Sequence, residues 1–182
     1  MISKILNGSK YYWLWIIFLG FWCLVALGSF AYQTHTGLHI TGMGRDIPWG
    51  LYIGQLNFMV GVAASAVMIV LPYYFHDYKS FGIITVLGEF VAIPSVIVAM
   101  LFVGVDMGRP DRVLNILLNP SPKSLMFWDL LSVLGYLMLN IVIGFKTLYL
   151  KAHDQTPPRW LKVLIVISIP WAVSIHTVTA FL

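Results

Sequence analysis

Five apolar runs, at about residues 11 to 33, 49 to 75, 82 to 105, 124 to 150 and 160 to 182, constrain this chain more than anything else in it. A bilayer core about 30 Å thick takes roughly 20 apolar residues of helix to cross, so each run is long enough to be a span. Backbone polar groups cannot stay unpaired in lipid, and the runs lack strand alternation, so helices are expected rather than barrel strands. Aromatic residues mark the ends of the first two runs, as at membrane interfaces: Tyr11, Tyr12 and Trp13, then Phe30 and Tyr32, Trp49, and Tyr73 with Tyr74. The fold class expected is an all-α membrane protein with five transmembrane helices.

Composition excludes the soluble alternatives. Of 182 residues 59% are hydrophobic and 10% charged, against about a quarter charged in soluble domains. A net charge of +4 with no basic run does not point to nucleic acid. The single cysteine, Cys23, lies in the first run, so no disulfide or cysteine cluster for zinc or iron and sulfur is expected. Lys4 and Lys10 before an apolar run resemble a secretory leader, but the run is long, aromatic and without a clear small-residue cleavage site, so it reads as an uncleaved anchor.

Orientation follows from the basic residues. Lys4, Lys10, Lys79, Lys146, Lys151, Arg159 and Lys162 fall on one side, and Arg45, Arg109, Arg112 and Lys123 on the other. Seven against four favours a cytoplasmic N-terminus, with residues 34 to 48 and 106 to 123 on the outer face. The last run stops in "WAVSIHTVTAFL", without a loop or cap, as expected of a truncated chain or one half of a larger bundle.

Polar groups inside the runs are the candidates for function. Gly50, Gly54, Asn57, Gly61 and Ala64 recur at spacings of 4, 3, 4 and 3, which places them on one helix face where a neighbour could approach closely. Asn57 there is an interhelical hydrogen-bonder or a ligand contact, and Gln55 points elsewhere. Glu89 lies within the third run, where an acid costs roughly 2.5 to 3.5 kcal/mol near a helix centre. It is either a protonated tie between helices or a proton relay, and Pro94 follows it. His176, six residues after Pro170, is an interhelical partner or a quinone or proton ligand. Haem is disfavoured because a low-spin membrane haem usually needs two facing axial ligands, and no second histidine is clearly inside a span.

The segment "DMGRPDRVLNILLNPSPKSLMFWD", residues 106 to 129, concentrates charge in an otherwise apolar chain. Gly108 and Pro110 should stop the third helix near Asp106. "DRVLNILLN" has the spacing of a short surface helix, and Asp129 returns as an acid just inside the fourth run. Asp111 and Arg112 read as solvated, whereas Asp106 and Arg109 sit at a helix end against glycine and proline.

This segment resembles the signature that follows the third core helix of the NrfD/polysulfide reductase C family: an Asp, Arg-Pro, an amphipathic stretch, "NP", "SP" and Met-x-Trp. "IPWGLYIGQLNFMVGVAAS", residues 47 to 65, is similar to the family's Pro-Trp-Gly entry and small-residue stripe, and "SIHTVTAFL" adds a weaker likeness. Within the family the chain looks closest to the membrane subunit of a sulfite-reductase-linked complex. The resemblance implies an N-terminal anchor helix and outer loop over 1 to 46, the first of two four-helix bundles over 47 to 182, and a missing second bundle. It further implies a quinone-interacting subunit in the cytoplasmic membrane that exchanges electrons between menaquinone near the outer face and a ferredoxin-like iron-sulfur subunit. Other membrane and cytochrome subunits would complete the complex, with a role in dissimilatory sulfur metabolism. No haem or iron-sulfur cluster is expected in the chain itself.

On that reading Asn57 and His176 are hydrogen-bond partners of the quinone, Asp106 and Arg109 a fixed pair at the pocket mouth, and Gln55 a secondary contact. Asp129 is a nearby proton donor, and Glu89 belongs to a possible transmembrane proton route. An ion or proton transporter subunit and a structural anchor for redox subunits are the rival classes.

Overall fold

The computed structural model describes residues 8–47, 50–76, 82–153 and 155–181, and their regular structure is entirely helical. Five long helices occupy the five apolar runs. The chain divides into two compact units, Met1–Gly50 and Leu51–Leu182.

The first unit is one long helix, α1 (Lys10–Thr36), followed by a short 3-10 turn at Leu38–Thr41. Ser9 caps α1, its hydroxyl accepting the Tyr12 N–H at 3.3 Å. Gly37, at φ 98, ends it by turning its own N–H back to the Gln33 carbonyl at 2.7 Å. A side chain at that φ would be strained, which is why glycine terminates the helix.

The second unit contains α2 (Leu51–His76), α3 (Gly82–Asp106), the one-turn α4 (Asn115–Leu118), α5 (Leu125–Ala152) and α6 (Arg159–Ala180). Short connections join α2 to α3 and α5 to α6, and the longer segment 107–124, which carries α4, joins α3 to α5. α2 packs on α3, α3 on α5, α5 on α6, and α6 back on α2, so the four close into a ring. Each helix feeds the core: Leu56, Val60 and Ala63 from α2, Val96 and Ala99 from α3, Val133 and Tyr136 from α5, and Ala172 and Ile175 from α6. These recur every three or four residues on their helices, the spacing that keeps one stripe turned inward. A smaller cluster of Ile143, Leu150, Leu161 and Ile165 closes α5 on α6 toward their connection.

Two hydrogen bonds lock the ring at its centre. The fully buried Tyr136 donates its hydroxyl to the Ala63 carbonyl of α2 at 2.9 Å. Trp171 of α6 donates its indole N–H to the Ser132 carbonyl of α5 at 2.8 Å. Trp171 fits only because residue 135 is glycine, since a Cβ there would come within 2.3 Å of the indole ring.

Among the described residues, three helices are long and apolar enough to cross a membrane: Lys10–Thr36, Leu125–Leu150 and Arg159–Ala180. A fourth span forms if Phe90–Asp106 and Pro110–Leu118, which meet at a bend of 117°, are one broken crossing. Of the five expected spans, the described residues thus show three, or four with the bent pair, by length and composition. The described apolar part of α2 is the shorter stretch Leu51–Ala66.

Two expectations about faces change. The small-residue stripe of α2 meets the core only in part: Ala64 packs against it, whereas Asn57 and Gly54 are exposed and a Cβ at Gly54 or Gly61 would meet nothing within 4 Å. The buried face lies beside it, through Leu56, Val60, Ala63 and Ala66. The surface helix expected over 111 to 119 is broken into a 3-10 turn at Pro110–Arg112 and the short α4. Its leucines at 114, 117 and 118 face outward, while Val113 and Ile116 are half-buried.

Candidate functional site

At the bundle end that carries residues 107 to 124, the helices leave a cavity of about 220 Å³. Leu56 forms its α2 side, Met100, Val103, Gly104 and Met107 the α3 side, and Met126, Asp129, Leu130 and Val133 the α5 side. Val113 and Ile116 cover it from the connecting segment. Here the broken surface helix acquires a purpose: its two inward side chains roof an opening between helix ends. The wall is otherwise apolar, with three methionine thioethers that adapt to flat, polarizable guests.

Asp129 is the charged residue of this wall. It lies in the first turns of α5 and is only 8% exposed. Its Oδ1 accepts a hydrogen bond from the Thr179 hydroxyl of α6 at 2.7 Å. A carboxyl group taken out of water demands such partners. An apolar cleft with few convergent polar groups is the usual form of a small-molecule site. Sites of that kind usually run about 300 to 1,000 Å³, and this cavity is somewhat smaller.

Asp106 ends α3 beside the cavity-lining Met107. Its Oδ1 is buried and has no hydrogen-bond partner. Arg109 does not pair with it. The Arg109 side chain instead forks onto Asp111, Nε to Oδ1 and Nη2 to Oδ2, both at 3.0 Å. Both groups are well exposed. The hydrogen bond and charge of Asp111 raise the Arg109 pKa further, and the same hydrogen bond holds Asp111 below the ordinary carboxylate range. The fixed pair is therefore Arg109 with Asp111, on the water-facing side of the loop.

The remaining sequence candidates are dispersed. Gln55 is half-buried on α2 and Asn57 exposed, and neither lines the cavity. His176, exposed on α6, borders a different opening of about 10 Å³ with Val60, Ala63, Val96 and Tyr136. That space holds about one water molecule. The side chain of Glu89 lies outside the described residues. Among the described residues, no group of three or more His, Cys, Asp or Glu could hold a metal ion.

Sequence reasoning identifies Asp129 but misses Thr179 and the cavity's methionines. Thr179 is one of several hydroxyl residues in "SIHTVTAFL", and nothing local marks it as the one that reaches α5.

The fold defines a multi-pass integral membrane protein, with an apolar cavity walled in part by the buried carboxylate of Asp129 at the end of a four-helix ring. Residues 39–182 match the family described as Polysulphide reductase, NrfD, and the chain belongs to that family. It is 36% identical over 128 residues to a putative dimethyl sulfoxide reductase membrane subunit of Halobacterium salinarum, covering 70% of this chain and 29% of that one. It is 24% identical to a selenate reductase subunit of Mesobacillus selenatarsenatis, covering 90% and 46%. It is 20% identical to the Hdr-like menaquinol oxidoreductase integral membrane subunit of Archaeoglobus fulgidus, covering 97% and 43%. The chain thus spans less than half the length of each of these relatives. No solved structure matches it.

Proposed function

We propose that the chain is the quinone-interacting membrane subunit of a multi-subunit oxidoreductase, and that the quinone head group occupies the cavity beside Asp129. The observation that carries this reading is the roughly 220 Å³ apolar cavity whose charged residue is a buried carboxylate. A quinol leaving two electrons must also leave two protons, so its site needs a proton acceptor held against an apolar binding wall. Asp129 is that acceptor, taking the two quinol protons one after the other and handing each on toward water, and it is the proton donor when the reaction runs toward quinol. Asp106, at the neighbouring helix end, offers the next carboxylate on the way to water. The two electrons pass to an iron-sulfur subunit docked on the same end of the bundle, where Arg109, Asp111 and Arg112 present an exposed, charged surface.

The finer points belong to the same proposal. Five helices cross the membrane, with the N-terminus cytoplasmic and the cavity at the outer face, as the distribution of Lys and Arg favours. The quinone is menaquinone, a reading supported by the name of the Archaeoglobus relative. Sulfur compounds as the distant substrate, and kinship with the sulfite-reductase-linked DsrP protein, rest on sequence resemblance. Asn57, Gln55 and His176 lie on surfaces apart from the cavity and serve contacts with further helices or subunits. Glu89 belongs to a transmembrane proton route.

The test is binding and competition. Organic extracts of the purified protein should contain menaquinone, and a fluorescent hydroxyquinoline N-oxide should bind the detergent-solubilised chain and be displaced by naphthoquinones. Gly104→Phe should weaken that binding about tenfold, because residue 104 lines the cavity and a side chain there meets open space. Unchanged binding in that variant would move the quinone elsewhere.

A further inference from the structure

Thr179 occupies a position that the quinone reading alone does not explain. Its hydroxyl crosses from α6 to a carboxylate 50 residues earlier in the chain, at 2.7 Å. A threonine in a membrane helix ordinarily satisfies its hydroxyl on its own backbone, as Thr177 does on the Val173 carbonyl at 2.9 Å. Thr179 instead commits its proton to Asp129 Oδ1, so Oδ2 is the oxygen left for a guest.

The rest of α6 is arranged to deliver it there. Trp171 fills the slot above Gly135 and bonds the Ser132 carbonyl, fixing the height of α6 against α5. Eight residues further on, about 12 Å along a helix rising 1.5 Å per residue, Thr179 meets Asp129. A second bond, Ser132 Oγ to the Asp129 carbonyl at 2.8 Å, holds the backbone of the same turn.

We infer that Thr179 is a positioning residue for the reaction at the cavity: its hydroxyl holds the Asp129 carboxylate in the one orientation that presents Oδ2 to the quinol hydroxyl. The inference rests on the reading of the cavity as the quinone site. Proton transfer is sensitive to the placement of the acceptor, whereas binding of the apolar ring is not. Loss of the hydroxyl therefore lowers kcat and spares affinity.

The experiment uses membranes holding the complete complex, assayed with a short-chain naphthoquinol, together with hydroxyquinoline N-oxide binding. Thr179→Val keeps the shape and removes the donor. It should lower kcat about tenfold with KM and probe affinity within about twofold. Thr179→Ser keeps the donor and removes a methyl group, and should retain kcat within about twofold. A packing role predicts the reverse order, so full activity in Thr179→Val, or loss in Thr179→Ser alone, overturns the inference. If Thr179→Val does not assemble, the serine variant still decides, because a serine that fails to sustain kcat contradicts positioning by the hydroxyl. Asp129→Asn separates the two claims: wild-type turnover in that variant sinks the site reading itself, whereas loss in Asp129→Asn without loss in Thr179→Val sinks only the role of Thr179.

Discussion

Two aspartates near the same end of the bundle have opposite surroundings. Asp129 is 8% exposed, faces an apolar cavity and has a threonine from another helix on one oxygen. Asp111 lies in the loop above, well exposed, with both oxygens taken by Arg109 two residues away. The first is held by tertiary structure across 50 residues, the second by local chain geometry. A buried acid with an oxygen left over can do chemistry on a guest, while an exposed, doubly bonded one is suited to solubility and to contact with a partner. The two acids are thus set apart by their surroundings and not by the density of charge along the sequence.

The sharpest way to break the comparison is to neutralise each acid in turn. Asp129→Asn should lower quinol-linked turnover by about 10² to 10⁴, the usual loss when a positioned acid or base is removed, with the chain still in the membrane. Asp111→Asn should leave turnover within about twofold. Equal losses would erase the distinction between the two regions.

A smaller effect should follow from disturbing the scaffold behind Asp129. Gly135→Ala drives a Cβ to within 2.3 Å of the Trp171 indole, and overpacking of this kind costs about 1 to 3 kcal/mol. Thermal unfolding of the solubilised chain should fall accordingly, with turnover falling beside it as α6 shifts against α5. Loss of stability alone would mean that the register of α6 does not matter to the site.

The smallest effect concerns the loop pair and pH. The Asp111 pKa is lowered in the folded chain, first by its hydrogen bond to Arg109. The pair therefore contributes above the ordinary carboxylate value, and the contribution is lost as pH falls through the depressed value. Exposed pairs contribute little, so wild type and Asp111→Asn should melt within about two degrees of each other near neutrality and converge in acid. A large difference near pH 7 would make the loop a structural element rather than a solvated surface.

The helices are legible in the sequence because lipid demands length, and all five long helices fall where the apolar runs predict. Faces are less legible. The spacing of Gly54, Asn57 and Gly61 places them together, but it does not say whether that side meets a neighbour. The neighbouring stripe through Leu56, Val60 and Ala63 is the one that packs. Proximity to the helix end suggests Asp106 as the partner of Arg109, yet the guanidinium folds back onto Asp111 two residues away. Asp129 can be flagged as an acid entering a span, but its cavity cannot, since α2, α3, α5 and the 113 to 116 segment meet only in three dimensions. Thr179 is invisible for the same reason.

The most direct test of a quinone beside Asp129 is to label the protein with a photoreactive azido-naphthoquinone and locate the adducts by peptide mass spectrometry. Labelling should fall within residues 100 to 107, 113 to 116 and 126 to 133, suppressed by excess menaquinone analogue and by Gly104→Phe. Competable labelling confined to the Asn57 face of α2 or to the surroundings of His176, with the cavity residues untouched, would contradict it.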